Sequence, residues 1–349
     1  MKWLLRLLAA GIVIAVVAGG AAAAWGWQQL NRPYRDFDGD LLINVEPGSS
    51  ASAILRKLEE LGVLADARLA RAYLVYLLDD PSLKAGEYQF DEALSTPQVL
   101  DKLVQGQVLT YPVTLIEGLT LDEMAQILAD SGFSDLETLR REMDRSDLIA
   151  DLDPEATNLE GYLYPDTYHF ARGTTAAEIV ATMLRTFRRR FEEVQPLLPG
   201  PNQLTVRELV TLASIVEKEA VHDEERPRIA GVYANRLRIG MGLYADPTII
   251  YAFKKMGDWD GNLRKQDLKI DSPYNTYLYP GLPPSPICSP GIASMLAAAS
   301  PTESKELYFV SRNDGTHVFA ETLQDHNRNV YRWQKRYWRE RWARERQGK

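Results

Sequence analysis

Residues 7–27, LLAAGIVIAVVAGGAAAAWGW, carry no charge. Such a run has few homes in water. As a helix it is long enough to cross a hydrocarbon core, which takes about 20 residues. Lys2 and Arg6 precede it, and Trp25 and Trp27 suit the far interface of a bilayer. A cleaved signal peptide is the competing reading, with Ala21 to Ala24 as the processing region. The run exceeds the usual signal-peptide core of roughly 7–15 residues, which favours an uncleaved anchor. Arg32 and Arg35 follow it, so charge bias hardly orients it. Either way the body of the chain lies outside the cytoplasm. The one cysteine, Cys288, excludes an intramolecular disulfide and fits a bacterial envelope protein.

The 349 residues leave room for two domains beyond an anchor. A net charge of −8 argues against nucleic acid as a partner. His169, His222, His317 and His326 are scattered without metal-ligand spacing, so neither a zinc site nor another cofactor is expected. Residues 1–6 read as a cytoplasmic tail and 28–40, with Pro33 and Gly39, as a polar linker. Within 41–107 the pattern predicts a strand at 41–45, a helix capped by Ser49 or Ser50 and closed by Gly62, and a helix from 67 capped by Asp66. A strand near 86–90 and a short helix from Thr96-Pro97 follow. The strand–PGSS–helix opening resembles the LysM-like subdomain of some peptidoglycan enzymes; a generic α+β domain is the alternative. Residues 108–116 read as a strand, and Thr120 with Glu123 forms a capping box for the next helix. Residues 108–331 form the second domain, a mixed α+β body. Residues 332–349 are a basic, aromatic helical extension that includes Trp338 and Trp342.

The second domain centres on 204–220, LTVRELVTLASIVEKEA, with Thr205 and Glu208 as a further capping box. On a wheel of 100° per residue, Val206, Leu209, Val210, Leu212, Ala213, Val216 and Ala220 share one arc. Glu217 lies inside that arc, the only charge there, and Glu219 points the other way. A carboxylate on a buried stripe is costly unless paired or protonated. Apolar surroundings raise its pKa, as a general acid for glycoside cleavage requires. The structural alternative is a salt-bridged Glu at the rim of a core helix.

Three motif-rich loops flank this helix. Residues 159–168, LEGYLYPDTY, put tyrosines and acids around Gly161 and Pro165, a composition suited to sugars. Asp223 is expected to cap a helix that carries Asn235 and Arg236. Asp246-Pro247-Thr248 then precedes a short helix at 249–253. Tyr274-Asn275-Thr276-Tyr277 leads to the Pro-rich Gly281-Leu282-Pro283-Pro284, an ordered loop of the kind that frames sites. Asn313-Asp314-Gly315 reads as a hairpin turn and 327–346 as a helix.

Leu212-Ala213-Ser214-Ile215-Val216-Glu217-Lys218-Glu219, Asn235-Arg236-Leu237, Asp246-Pro247-Thr248, Tyr274-Asn275-Thr276-Tyr277, Gly281-Leu282-Pro283-Pro284 and His326-Asn327 resemble, in order, the YceG-like endolytic murein transglycosylases. The block from Glu160-Gly161 to Pro165-Asp166-Thr167 matches too. The resemblance implies a single-pass inner-membrane protein with its body in the periplasm. It implies cleavage within peptidoglycan strands between N-acetylmuramic acid and N-acetylglucosamine, with the catalytic Glu falling on Glu217. Asn235, Arg236, Asp246, Thr248, Tyr274, Asn275, Thr276 and Tyr277, with Glu160 and Tyr162, are then expected to line the groove. Contact with cell-wall synthases is compatible with an anchored enzyme that cuts new strands. One carboxyl group suffices for this chemistry: it protonates the leaving oxygen, then takes the proton of the muramic C6 hydroxyl as that oxygen closes on C1. A hydrolytic muramidase with Asp246 as second acid is one rival. A non-catalytic peptidoglycan-binding scaffold is another.

Overall fold

A computed structural model describes residues 2–198, 204–337 and 339. The chain divides into two compact units, Met1–Tyr111 with His169–Gly173, and Pro112–Tyr168 with Thr174–Lys349. The fold is mixed α+β, helix-rich, with paired strands only.

In the first unit, α1 (Lys2–Asn31) contains a span, Arg6–Asn31, with a mean hydropathy of 2.4 and no burial of its apolar window. One such helix fits a single-pass anchor. It runs past Trp27, and its last turn is packed: Leu30 is only 6% exposed, and Gly26 lies beside Leu69. The stretch expected to be a free linker is also held. The Tyr34 amide donates to the Leu94 carbonyl at 3.0 Å, and the Asp36 amide to the Gly62 carbonyl at 2.9 Å. Gly62 has a φ of +76°, and a Cβ there would lie 2.2 Å from the Asp36 carbonyl oxygen. Glycine is thus required both to leave the preceding helix and to receive this segment.

β1 (Leu41–Val45) is antiparallel to a later strand of the same unit. The chain first forms α2 (Ala51–Glu60), capped by Ser50, and α3 (Ala67–Leu77), whose cap Asp66 accepts from the Arg68 and Leu69 amides. It then returns as β2 (Gly86–Phe90), with Ile43 opposite Tyr88 and Leu41 opposite Phe90, and closes with α4 (Thr96–Gln105). Leu55, Leu58, Leu74, Tyr88, Phe90 and Leu100 fill the core between sheet and helices.

β3 (Thr110–Thr114) pairs with a strand after residue 166, and the chain passes between the units along both. The second unit continues with α5 (Leu121–Asp130), opened by the Thr120–Glu123 capping box, and α6 (Leu136–Met143). Next come β4 (Thr167–Ala171), the partner of β3, and α7 (Ala176–Val194). α8 (Val206–Glu219) opens with both halves of the Thr205–Glu208 capping box. α9 (Arg226–Arg238), α10 (Asp246–Met256) and α11 (Ile292–Ala299) all pack on it. β5 (Tyr308–Ser311) and β6 (His317–Ala320) form a hairpin through Asn313 and Gly315, both with positive φ, and α12 (Leu323–Val330) follows.

α8 is buried on all sides: every residue from Leu209 to Val216 is buried, including Thr211, Ser214 and Ile215. A helix enclosed all round has no solvent face, so a two-faced wheel misjudges it. Two further expectations change. Asp223 does not cap α9; it sits in a 3₁₀ turn and accepts from Arg226 Nε at 2.8 Å. α10 begins at Asp246 rather than Ile249, because Pro247 is well suited to a first helical turn. The chain after α12 tightens into a π-helical turn, Tyr331–Arg336. Trp338 and Trp342 lie outside the described residues.

Full-length protein is expected to leave membranes only with detergent, whereas deletion of residues 2–24 should release a folded soluble body. Recovery of full-length chain in the soluble fraction after carbonate extraction contradicts the anchor.

Candidate active site

Glu217 and Glu219 lie two residues apart at the C-terminal end of α8, and their surroundings are opposite in kind. The Glu217 side chain is 6% exposed and ion-paired: Arg226 Nη1 donates to Oε1 at 3.0 Å. The Gly291 amide donates to Oε2 at 3.0 Å. Arg226, its side chain 7% exposed, also donates to Ser294 Oγ at 2.6 Å. A Cβ at Gly291 would lie 1.8 Å from Glu117 Oε1, so a side chain there would displace the Glu117 carboxylate. Glu217 is therefore not a lone carboxyl among apolar groups but a salt-bridged one, the alternative that its place at the rim of a core helix left open. The apolar arc was real, but Arg226 folds over its end.

Glu219 is the carboxyl without a cationic hydrogen-bond partner. Tyr233 Oη donates to Oε1 at 3.1 Å. Burial pushes Glu219 up to about 7; the Asp246 charge adds to the rise, while the Tyr233 hydrogen bond and Arg236 oppose it. Asp246 is exposed and accepts from Tyr277 Oη at 2.6 Å. The Tyr244 ring meets that of Tyr277 edge-on at 5.4 Å, and Arg236 lies 5.8 Å from the centres of both Tyr233 and Tyr244. Tyr244 is 45% exposed and has a φ of +49°, a conformation costly for a bulky residue. Its amide bonds to the Thr276 carbonyl at 3.3 Å. Such strain is retained where the surroundings impose it, often beside functional groups. An acid titrating near neutrality, an exposed second carboxylate and open tyrosine faces can protonate a leaving oxygen and hold sugar rings.

The expected groove residues separate into three sets. Arg236, Asp246 and Tyr277 gather about Glu219. Asn235, Thr248, Asn275 and Thr276 are buried braces instead. Asn235 Nδ2 donates to the Ser304 and Glu306 carbonyls at 2.9 and 3.0 Å. Asn275 Nδ2 donates to the Leu268 and Ile270 carbonyls at 3.1 and 2.7 Å. Thr276 Oγ1 accepts from the Ala245 amide at 3.0 Å and lies 3.0 Å from Thr248 Oγ1. These bonds fix the loop ends that carry Asp246 and Tyr277. Glu160, Tyr162 and Tyr274 lie elsewhere. Glu160 accepts from the Leu121 amide at 3.1 Å and Tyr251 Oη at 3.0 Å; burial pushes it up to about 8. Tyr162 Oη donates to Asp153 at 2.6 Å in the core, and Tyr274 Oη lies 2.7 Å from Ser285 Oγ.

Sequence reasoning did not single out Tyr233, Tyr244, Glu117 or Glu219. Tyr233 reads as a core position of α9, and Tyr244 as one letter of a turn. Only the second glutamate in Glu217-Lys218-Glu219 offered a local signal, and the wheel directed it to solvent.

The class defined here is an α+β protein with an acid at the end of a buried helix. The YceG-like family model matches residues 43–332, and the chain belongs to that family. It is 32% identical over 324 residues to an endolytic murein transglycosylase of Bacillus subtilis, covering 88% of this chain and 89% of that one. It is 32% identical to an endolytic murein transglycosylase of Streptococcus pneumoniae, covering 82% of this chain and 57% of the longer relative. The crystal structure of a YceG-like protein from Listeria monocytogenes aligns with a TM-score of 0.56 and 33% identity, over 83% of this chain and 98% of that one.

The geometry gives Glu217 a structural readout. Glu217→Gln removes the charge that compensates a buried guanidinium, and should cost roughly 3–5 kcal/mol of stability. Unfolding in urea measures it; a loss below about 1 kcal/mol shows that the pair does not hold the helix end.

Proposed function

We propose that this chain is a membrane-anchored lytic transglycosylase of peptidoglycan, cutting between N-acetylmuramic acid and N-acetylglucosamine within strands and leaving 1,6-anhydromuramic ends. The observation that carries the mechanism is Glu219: a half-buried carboxyl raised to about 7, bonded to a phenol rather than to a cation. The names of the Bacillus and Streptococcus relatives support the substrate and the reaction class. We assign the general acid to Glu219 and not to Glu217, whose two oxygens are engaged by Arg226 and the Gly291 amide. Neutral Glu219 protonates the glycosidic oxygen as the muramic C1–O bond breaks. Its carboxylate then takes the proton of the C6 hydroxyl, and that oxygen bonds to C1. Protons balance, and no water or metal enters. Holding the hydroxyl beside C1 makes the attack intramolecular, which is worth several orders of magnitude over bulk water. Tyr244 and Tyr277 offer ring faces to the sugars, and Asp246 helps keep Glu219 protonated by its charge. The anchor lies in the inner membrane with the body in the periplasm, where cuts near cell-wall synthases limit the growth of nascent strands.

A hydrolytic muramidase is the second reading, favoured by one observation: Asp246 is an exposed carboxylate coupled to Glu219, as a base for water requires. Digestion in ¹⁸O-water separates the two. Transglycosylation leaves the new ends unlabelled and one water lighter than a reducing end; label at C1 assigns the reaction to water.

The acid assignment makes a pH prediction. Only protonated Glu219 donates, so kcat/KM should fall about tenfold per pH unit above a midpoint near 7. Glu219→Gln should lose roughly 10²–10⁴-fold in kcat and flatten that limb. Stability should move the other way. From about 4.5 to 7 the unfolded chain ionises this group while the folded one does not, so the wild type loses stability as pH rises and the Gln variant does not. Wild-type activity in the Glu219 variant, with loss only in Glu217→Gln, returns the acid to Glu217.

A further inference from the structure

A cavity of about 440 Å³ opens around Glu160, lined also by Asp144, Tyr251, Lys255 and Trp259, none of which belongs to the Glu219 cluster. Its charges are arranged unusually. Lys254 and Asp122, also on its wall, are engaged, Lys254 with Glu123 at 2.6 Å and Asp122 with Arg140 at 2.9 Å. Lys255 is exposed and has no ion-pair partner among the described residues. Its Nζ lies 6.0 Å from the Tyr251 ring centre and 5.8 Å from that of Tyr274. Asp144, exposed at the end of α6, likewise has no ion-pair partner among the described residues. The Glu160 carboxyl, 4% exposed, also lines the cavity; it accepts from the Leu121 amide and Tyr251 Oη and feels the Lys255 charge. The cavity therefore presents one cation and one anion without ion-pair partners among the described residues, together with Trp259, around the Glu160 carboxyl.

We propose that this cavity binds the peptide stem of the strand being cut, with Lys255 taking a stem carboxylate and Asp144 a stem amine. This rests on peptidoglycan being the substrate. Sugars of the strand carry no cation and need no uncommitted lysine, whereas the stem carries both carboxylates and an amine. The reach agrees. Lys255 lies nine residues beyond Asp246 on α10, about 13 Å by helical rise, and half a turn of phase away. Across a helix about 10 Å wide this makes a span of roughly 17 Å. Four or five extended residues cover about 13–18 Å, the length of that span from the Asp246 end of the candidate site, whereas two residues cover about 7 Å. The site would thereby distinguish newly made strands, with long stems, from trimmed ones.

The test uses full-length protein carrying Glu219→Gln in detergent, so that binding is read without turnover. The probe is the synthetic pentapeptide L-Ala-γ-D-Glu-diaminopimelate-D-Ala-D-Ala, followed by the fluorescence of Trp259 with Trp259→Phe as the blank. Saturable quenching is expected, weakened about tenfold or more by Lys255→Ala and by Asp144→Asn. The dipeptide L-Ala-D-Glu should not compete. In the active enzyme the ratio of KM for stem-free over stem-bearing strands should exceed one and fall towards one in Lys255→Ala. Quenching by chitotetraose but not by the pentapeptide makes the cavity a sugar subsite and overturns the proposal, as does equal pentapeptide binding by the Lys255 variant. Neither outcome touches the reaction itself, which the anhydro ends report separately.

Discussion

One buried ion pair holds the end of the central helix. Glu217 receives Arg226 from the start of α9 and the Gly291 amide from the residue before α11, and Arg226 reaches on to Ser294 within α11. Three helices are thus fixed to one another at a single carboxylate. Burying such a pair brings little net stability, because desolvation offsets much of the attraction. What it supplies is direction. These bonds tie the end of α8 to the starts of α9 and α11. Glu219, two residues on, is thereby presented to Tyr233 and to the Asp246 side of the molecule.

The same helix separates what local sequence reveals from what it hides. The capping boxes at Thr120 and Thr205, the Asp66 cap and the Asn313–Gly315 hairpin turn were all legible, because each involves groups within three or four residues. The partners that give Glu217 and Glu219 their characters lie 9, 14 and 74 residues away. Periodicity marked Glu217 as inward-facing, which is correct. It also assumed that the opposite face meets water, which fails once α9, α10 and α11 enclose the helix. The loop motifs were found, yet eight of the ten residues expected to line the groove are buried. Asn235 and Asn275 tie backbone carbonyls, a use that an Asn in a sequence does not distinguish from binding a ligand.

Two carboxyls in this unit are raised by their surroundings. Glu219 and Glu160 are both in surroundings that disfavour charge, and each is bonded to a tyrosine. A phenol supplies a hydrogen bond without the full charge that would restore ordinary acidity. Buried Glu–Tyr pairs of this kind keep a carboxyl close to its titration point, where Glu–Arg pairing commits it to one state.

The docked end of α1 changes what an anchor means. With Leu30 buried and residues 34 and 36 bonded into the first unit, the first unit is mounted on its helix and does not swing on a free tether. With α1 in a bilayer, that unit stands at a set height above the lipid. A flexible tether would let the protein sample wall at many depths. A mount holds the first unit within a thin layer against whatever surface α1 enters.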